Sequence, residues 1–224
     1  MSIAEPPIDN SHATAFPLDT PANWALLRQV PWEMYLQVRD AEENNYMRMT
    51  YDGGALEIMS PSGKHAKVSH VISCMIYEWT MLHRIDIETG GDMTFKKETA
   101  KRGLEPDQCF WIARVAEVMG KDEIDLNIDP PPDLAIEVEV SRSLIPKLPI
   151  YQTLGIPEIW RWRRGKLEIL VLFAESGYVT RQSSVSLPGF PLSLAAEFVE
   201  RRRLESLMTL MRRFRQAISE LPKP

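Results

Sequence analysis

A short acidic stretch is the first place in this chain where chemistry could sit. Read as a strand, Asp133–Ser141 (DLAIEVEVS) puts Asp133, Ala135, Glu137, Glu139 and Ser141 on one face and Leu134, Ile136, Val138 and Val140 on the other. Glu137 and Glu139 then point the same way, roughly 6–7 Å apart at two residues' rise. Upstream, the segment EPDQCF offers Asp107 to one face of a neighbouring strand. Carboxylates gathered on one face repel, and water, proton uptake or a cation must offset them. Hard oxygen ligands suit Mg²⁺ (or Mn²⁺), and Mg²⁺ keeps several waters and takes one or two protein carboxylates. Such a site can activate a water and stabilise a phosphoryl transition state. The pattern leaves a plainer alternative open. One apolar and one acidic face is also what a half-exposed sheet shows, and an Asp before a strand often serves a turn.

Other side chains could join the acidic residues. Lys147 lies ten positions after Glu137, in the first turn of the next helix. His65 opens the first amphipathic helix, and Glu57 projects from the strand before it. Each also has an ordinary reading, as a surface lysine, a helix-end histidine and a strand carboxylate. The chain has no GxSxG elbow, P-loop or HExxH. His12, His65, His70 and His83 make no zinc set, and Cys74 and Cys109 form no CxxC pair.

The elements that must position these residues follow from periodicity. Residues 31–40 (PWEMYLQVRD) read as a short helix. Tyr46–Tyr51 and Ala55–Met59 form a hairpin around Asp52-Gly53-Gly54. Ser62 is placed to cap a helix to about His83, with Val68, Val71, Ile72, Met75, Ile76, Trp79 and Leu82 on its apolar face. Strands are expected near Arg84–Glu88 and Met93–Lys97, and over Leu104–Ile112; Ala113–Asp125 is helical or a long excursion. After the Pro130–Pro132 run and the acidic strand come a helix over Ile145–Leu154 ending at Gly155, and a hairpin of Ile159–Arg163 with Leu167–Phe173. A terminal helical region opens at Ser193, with Leu204, Leu207, Met208, Met211, Phe214 and Ile218 as apolar positions. The core order of helix, three strands, helix, strand predicts an α/β layered sheet.

Hydrophobic residues at 44% and charged residues at 25% describe a globular chain long enough to bury its own core. Residues 1–22 are expected to be a disordered leader rather than a signal peptide, 23–200 the domain, and 201–224 a C-terminal helix packed on it or extending it. No stretch reaches the length of a membrane span, and the cytoplasm is the expected compartment. A net charge of −5 excludes a globally basic nucleic-acid binder. Residues 199–224 nevertheless carry seven basic side chains against three acidic ones, which reads either as a solvated face or as a contact for phosphates.

The runs LEIMSPSGKH (56–65), EPDQCFWI (105–112), PPDLAIEVEVS (131–141) and KLPIYQTLGIPEIWRWRRGKL (147–167), in this order, resemble the bacterial family of Uma-type putative restriction endonucleases. The resemblance spans roughly residues 30–200. It implies a restriction endonuclease-like PD-(D/E)XK core, a mixed sheet flanked by helices, with an N-terminal helix and hairpin extension and a C-terminal helical region. It matches Asp107 to the PD aspartate, Glu137 to the acidic residue of (D/E)XK, and Lys147 to a recurrent helix lysine. His65, Glu57 and Asp133 match recurrent positions without a defined role. Glu139 departs from the superfamily motif, which has lysine there; a second carboxylate at that place can position a metal or its water. The implied activity is Mg²⁺-dependent hydrolysis of DNA phosphodiester bonds. Asp107, Glu137 and Glu139 would serve the metal, Lys147 the water or phosphate, and a homodimer would cut two strands. The competing readings are a nuclease-fold protein that binds nucleic acid or a partner without cutting, such as an accessory of mobile DNA, and a nucleotide-directed phosphodiesterase.

Overall fold

The computed structural model describes residues 24–60, 63–139 and 143–222. The expected leader, the Ser62 cap, the strand end at Val140 and Ser141, and Lys223 lie outside the described residues. The chain runs β1 (Trp24–Leu27), α1 (Trp32–Arg39), β2 (Arg48–Asp52), β3 (Ala55–Met59), α2 (Gly63–His83), β4 (Glu88–Thr89), β5 (Phe95–Lys97), β6 (Arg102–Leu104), β7 (Gln108–Trp111), α3 (Val115–Val118), β8 (Leu134–Glu139), α4 (Leu148–Leu154), β9 (Glu158–Arg163), β10 (Lys166–Phe173), β11 (Gly177–Arg181), α5 (Leu192–Arg201) and α6 (Leu207–Ser219).

Two sheets result. An antiparallel sheet has the order β1-β3-β2-β6-β5 and a mixed sheet the order β11-β10-β9-β8-β7-β4. The mixed sheet contains the expected succession: α2, then β4, β7 and β8 in antiparallel pairs, then α4, then β9 parallel to β8. The β2–β3 hairpin turns through Gly53 and Gly54 at φ of 52° and 102°, values that only glycine adopts without strain at both central positions. It belongs to the first sheet, which is therefore larger than a hairpin extension.

Helix α2 buries Val68, Val71, Ile72, Met75, Ile76 and Trp79 as its spacing requires, whereas Leu82 is exposed. With Phe110, Leu134, Ile136 and Val138 of the sheet and the inner faces of α5 and α6 it builds one core layer. The opposite face of the same sheet, with Cys109, Ala135 and Ile159, packs on Ile150, Tyr151 and Leu154 of α4. Alternation along β8 thus sends its even residues to α2 and its odd residues, the acidic ones, toward α4. Among the described residues, no helix is long and apolar enough to cross a membrane.

Three expectations need correction. Residues 84–88 are not a strand: Arg84 turns at φ 56°, and pairing starts at Glu88. The segment 104–112 is not one strand either. Leu104 pairs in the first sheet and Gln108 in the second, and the chain changes sheets across Pro106, which has no N–H for a ladder. Residues 113–125 follow the excursion reading, with only Val115–Val118 helical. The terminal region is two helices, and the second restarts at Ser206, whose hydroxyl accepts from Thr209 N–H. That restart changes the helical phase, so Leu210, Met211, Phe214 and Ile218 are buried while Leu204 and Met208 are exposed.

Candidate active site

Asp107 sits where the chain passes from one sheet to the other. Its N–H donates to Ile136 O at 3.0 Å, and its carboxylate Oδ2 accepts from Val138 N–H at 2.6 Å. These bonds tie it across β8 to the residues flanking Glu137. Its Oδ1 lies 3.3 Å from His65 Nδ1, which the first turn of α2 delivers. Ser69, one turn further along α2, donates its hydroxyl to Asp107 O at 3.2 Å.

Glu137 is buried in mid-β8. Lys147 Nζ donates to its Oε2 at 2.9 Å, and the Tyr151 hydroxyl donates to its Oε1. Lys147 stands at the N-terminal boundary of α4 and Tyr151 one turn inside it, so four residues of helical rise aim both donors at one carboxylate.

Burial and charge set the protonation states. Burial first, and then the Glu137 charge, push the Asp107 carboxyl up from its ordinary 3.8 to about 7, against the pull of Lys147, the Val138 N–H and Arg48. Burial lowers His65 to about 4, helped by the Lys147 and Arg48 charges and opposed by Glu137. The His65–Asp107 contact therefore has ion-pair geometry, but at neutral pH the imidazole is uncharged. Burial would lower Lys147, yet the Glu137 and Asp107 carboxylates outweigh it and hold the ammonium charged. Burial and Glu137 keep the Tyr151 hydroxyl protonated, as a donor.

The other predicted residues are placed differently. Glu139 shares the face of Glu137, but its carboxylate is 3.6 Å from Arg161 and 3.3 Å from Arg163. Parallel pairing sets those arginines beside Glu137 and Glu139 on β9. Among the described residues, the ion pairs of Glu139 are with these two arginines and not with the Lys147 that holds Glu137. No group of three His, Cys, Asp or Glu side chains among the described residues is arranged to hold a metal ion. Glu57 is buried, and its charge is felt at Lys147 beside those of Glu137 and Asp107. It accepts from Ser143 Oγ at 2.9 Å, Leu144 N–H at 2.5 Å and Ile145 N–H at 3.3 Å, and so fixes the loop that leads into Lys147. Asp133 accepts from the Ile112 and Ala113 N–H groups at 2.7 and 2.9 Å, the turn role open to it from the start.

Sequence reasoning missed Tyr151 and Arg48. The first had a signal, since it lies four positions after Lys147 on the same helix. The second had none, because Arg48 lies outside the motif runs, on a strand of the other sheet, and only the tertiary structure sets it beside His65 and Asp107. Arg48, His65, Ser69, Asp107 and Gln108 border a cleft of about 290 Å³. A larger cleft of about 430 Å³ at the far end of α2, lined by Tyr77, Met81 and Arg84 among others, contains none of the acidic centre.

Removing the phenol hydroxyl tests how Glu137 is held. Tyr151→Phe takes away a hydrogen bond to a buried charge, and a loss of about 1.5–3 kcal/mol is expected in urea denaturation. A change below about 0.5 kcal/mol, the range of a neutral surface substitution, would mean that Lys147 holds Glu137 alone.

The family model described as "Uma2: Putative restriction endonuclease" matches residues 32–199, most of the chain. No curated protein matches. Among solved structures, a crystal structure of a putative nuclease belonging to DUF820 from Anabaena variabilis ATCC 29413 is similar, with 17% identity and a TM-score of 0.48. The match covers 81% of this chain and 99% of that one.

Proposed function

Because the chain belongs to the Uma2 family of putative restriction endonucleases, we propose that it is a divalent-metal-dependent nuclease that hydrolyses DNA phosphodiester bonds. The observation that carries this reading is the pair of Asp107 and Glu137. Their side chains are sheltered from solvent, and burial and the Glu137 charge push Asp107 up to about 7 against the pull of Lys147 and Arg48.

The donor set fits a hard cation. Both side chains offer carboxylate oxygens, and two are as many as Mg²⁺ commonly takes from a protein. Glu137 uses two of its roughly four lone-pair positions on Lys147 and Tyr151, which leaves capacity for an ion. Asp107 and Glu137 would hold Mg²⁺ or Mn²⁺, which when bound polarises a phosphoryl oxygen and makes its water a better nucleophile. The chain's own groups do the rest. Lys147 keeps a fixed positive charge where negative charge builds on the phosphate. His65, neutral at pH 7, lines the cleft beside Asp107. Glu57 keeps the 143–145 loop, and with it Lys147, in register. Cutting both strands calls for a two-fold pair of chains, the assembly this reading carries.

Glu139 is left outside the metal set, because Arg161 and Arg163 already neutralise it. Calorimetric Mn²⁺ titration is therefore expected to give the same curve for Glu139→Ala as for wild type, and a weakened one for Glu137→Gln. A cleavage assay on supercoiled and linear DNA, with Mg²⁺ or Mn²⁺ against EDTA, tests the function. Metal-dependent cutting is expected. DNA binding with no cutting in either metal would replace the enzyme by a nucleic-acid-binding protein of the same fold.

A further inference from the structure

Arg48 opens β2 in the antiparallel sheet, outside the succession of helices and strands that carries Asp107 and Glu137. Its guanidinium nevertheless borders the cleft beside Asp107 and His65, and its charge is felt at both. One terminal nitrogen is paired with Asp92, a carboxylate that is itself 56% exposed. The Nε–H of Arg48 is buried and has no acceptor among the described residues. A buried donor without a partner is rare in folded proteins and calls for an explanation. Here it belongs to a cation whose partner sits in solvent, where an ion pair is weak and easily exchanged. The acceptor that suits a planar guanidinium fork is an oxyanion able to take two parallel N–H bonds, and a phosphate is the common one.

We propose that Arg48 is a phosphate-binding residue of this cleft, taking a backbone phosphate of a nucleic-acid strand as it approaches Asp107 and Glu137. The proposal rests on the nuclease reading for its substrate class. The antiparallel sheet then supplies the cation that the acidic centre lacks on its open side. Asp92 acts as the occupant that the phosphate displaces.

The two residues predict effects of opposite sign. Binding of a fluorescein-labelled DNA duplex is followed by anisotropy over a salt series, in EDTA and separately in Ca²⁺. Arg48→Ala is expected to weaken binding about tenfold at low salt and to lower the slope of log K against log salt by about one, whatever the duplex sequence. Arg48→Lys keeps the charge but loses the Nε–H, so the slope stays and the affinity falls less. Asp92→Asn removes the competitor and is expected to tighten binding several-fold, a result that loss of folding cannot produce. Thermal melting accompanies each variant; if Arg48→Ala does not fold, Arg48→Lys and Asp92→Asn decide. Wild-type affinity and slope in Arg48→Ala, weaker or unchanged binding in Asp92→Asn, or no DNA binding by wild type in either buffer would each overturn the proposal. Cutting in Mg²⁺ separates it from the function it rests on. Arg48-dependent binding without cutting removes the catalytic reading alone, and cutting with Arg48-independent binding removes this one alone.

Discussion

Asp107→Asn is expected to abolish metal-dependent DNA cleavage and, in the same protein, to raise the stability of the metal-free fold at pH 8. The two effects share one cause. Asp107 lies beside Glu137 with its side chain largely out of solvent, and its carboxyl is pushed from 3.8 up to about 7. Between those values the unfolded chain has released a proton that the folded chain still keeps. The folded state binds more protons in that window, so stability falls as pH rises from about 4 to about 7 and stays lower above it. Asparagine does not titrate and removes that fall. Its carbonyl can still accept from Val138 N–H, and its amide can donate to the neutral His65 ring. A gain of the order of 2 kcal/mol at pH 8, and little change at pH 4, follows from a shift of this size, at 1.36 kcal/mol for each unit and discounted for coupling. The loss of activity should exceed about a hundredfold, since a direct ligand matters at least as much as the outer partners that cost 10–100-fold. Cleavage rates and thermal melts at the two pH values check both halves. A variant that melts below wild type at pH 8 would show that Asp107 is not an uncompensated charge.

Lys147→Met carries the largest expected loss of stability. Removing one partner of a buried pair leaves the other charge in place without its counterion, at a cost of about 3–5 kcal/mol. Of the two side chains, 20% of Lys147 and 7% of Glu137 meet solvent, which trims the expected loss to about 2–4 kcal/mol. The sign with pH is the same as for Asp107, since both groups are raised on folding, but the window is different. The carboxylates raise Lys147 above its ordinary 10.5, so the stability from this pairing is fully present below that value and is lost only as pH climbs through the higher folded value. The deficit of the variant should therefore be flat across pH 6–9 as far as the lysine is concerned. The double variant Lys147→Met/Glu137→Gln removes the stranded charge and should recover part of the loss, with a coupling of about 1–3 kcal/mol. Denaturant unfolding of the four proteins reads the coupling, and strictly additive losses would mean that the two residues do not share the interaction. Cleavage should fall in both single variants.

The sequence by itself determined the parts of this protein that local physics controls. The helical spacing of Val68 to Trp79 found α2, because one apolar face per turn is a property of the segment itself. The glycines at 53–54 found the first hairpin and Gly155 the end of α4, because a positive φ is a demand of the local backbone. Alternation found the face of β8 that carries Glu137, and the family resemblance of the motif runs pointed to Asp107 and Lys147. Tertiary structure decided what those residues do there. Glu139 points the same way as Glu137, yet it faces two arginines, because the strand that lies beside β8 and its register depend on residues some twenty positions away. Glu57 looks like a third acid in the sequence; in the fold three donors from a distant loop claim it. Leu104 and Gln108 look like one strand until two sheets compete for them. Arg48 meets His65 and Asp107 at the cleft although β2 belongs to the other sheet. Periodicity reports which face a side chain takes, and long-range packing alone reports which group it will meet there.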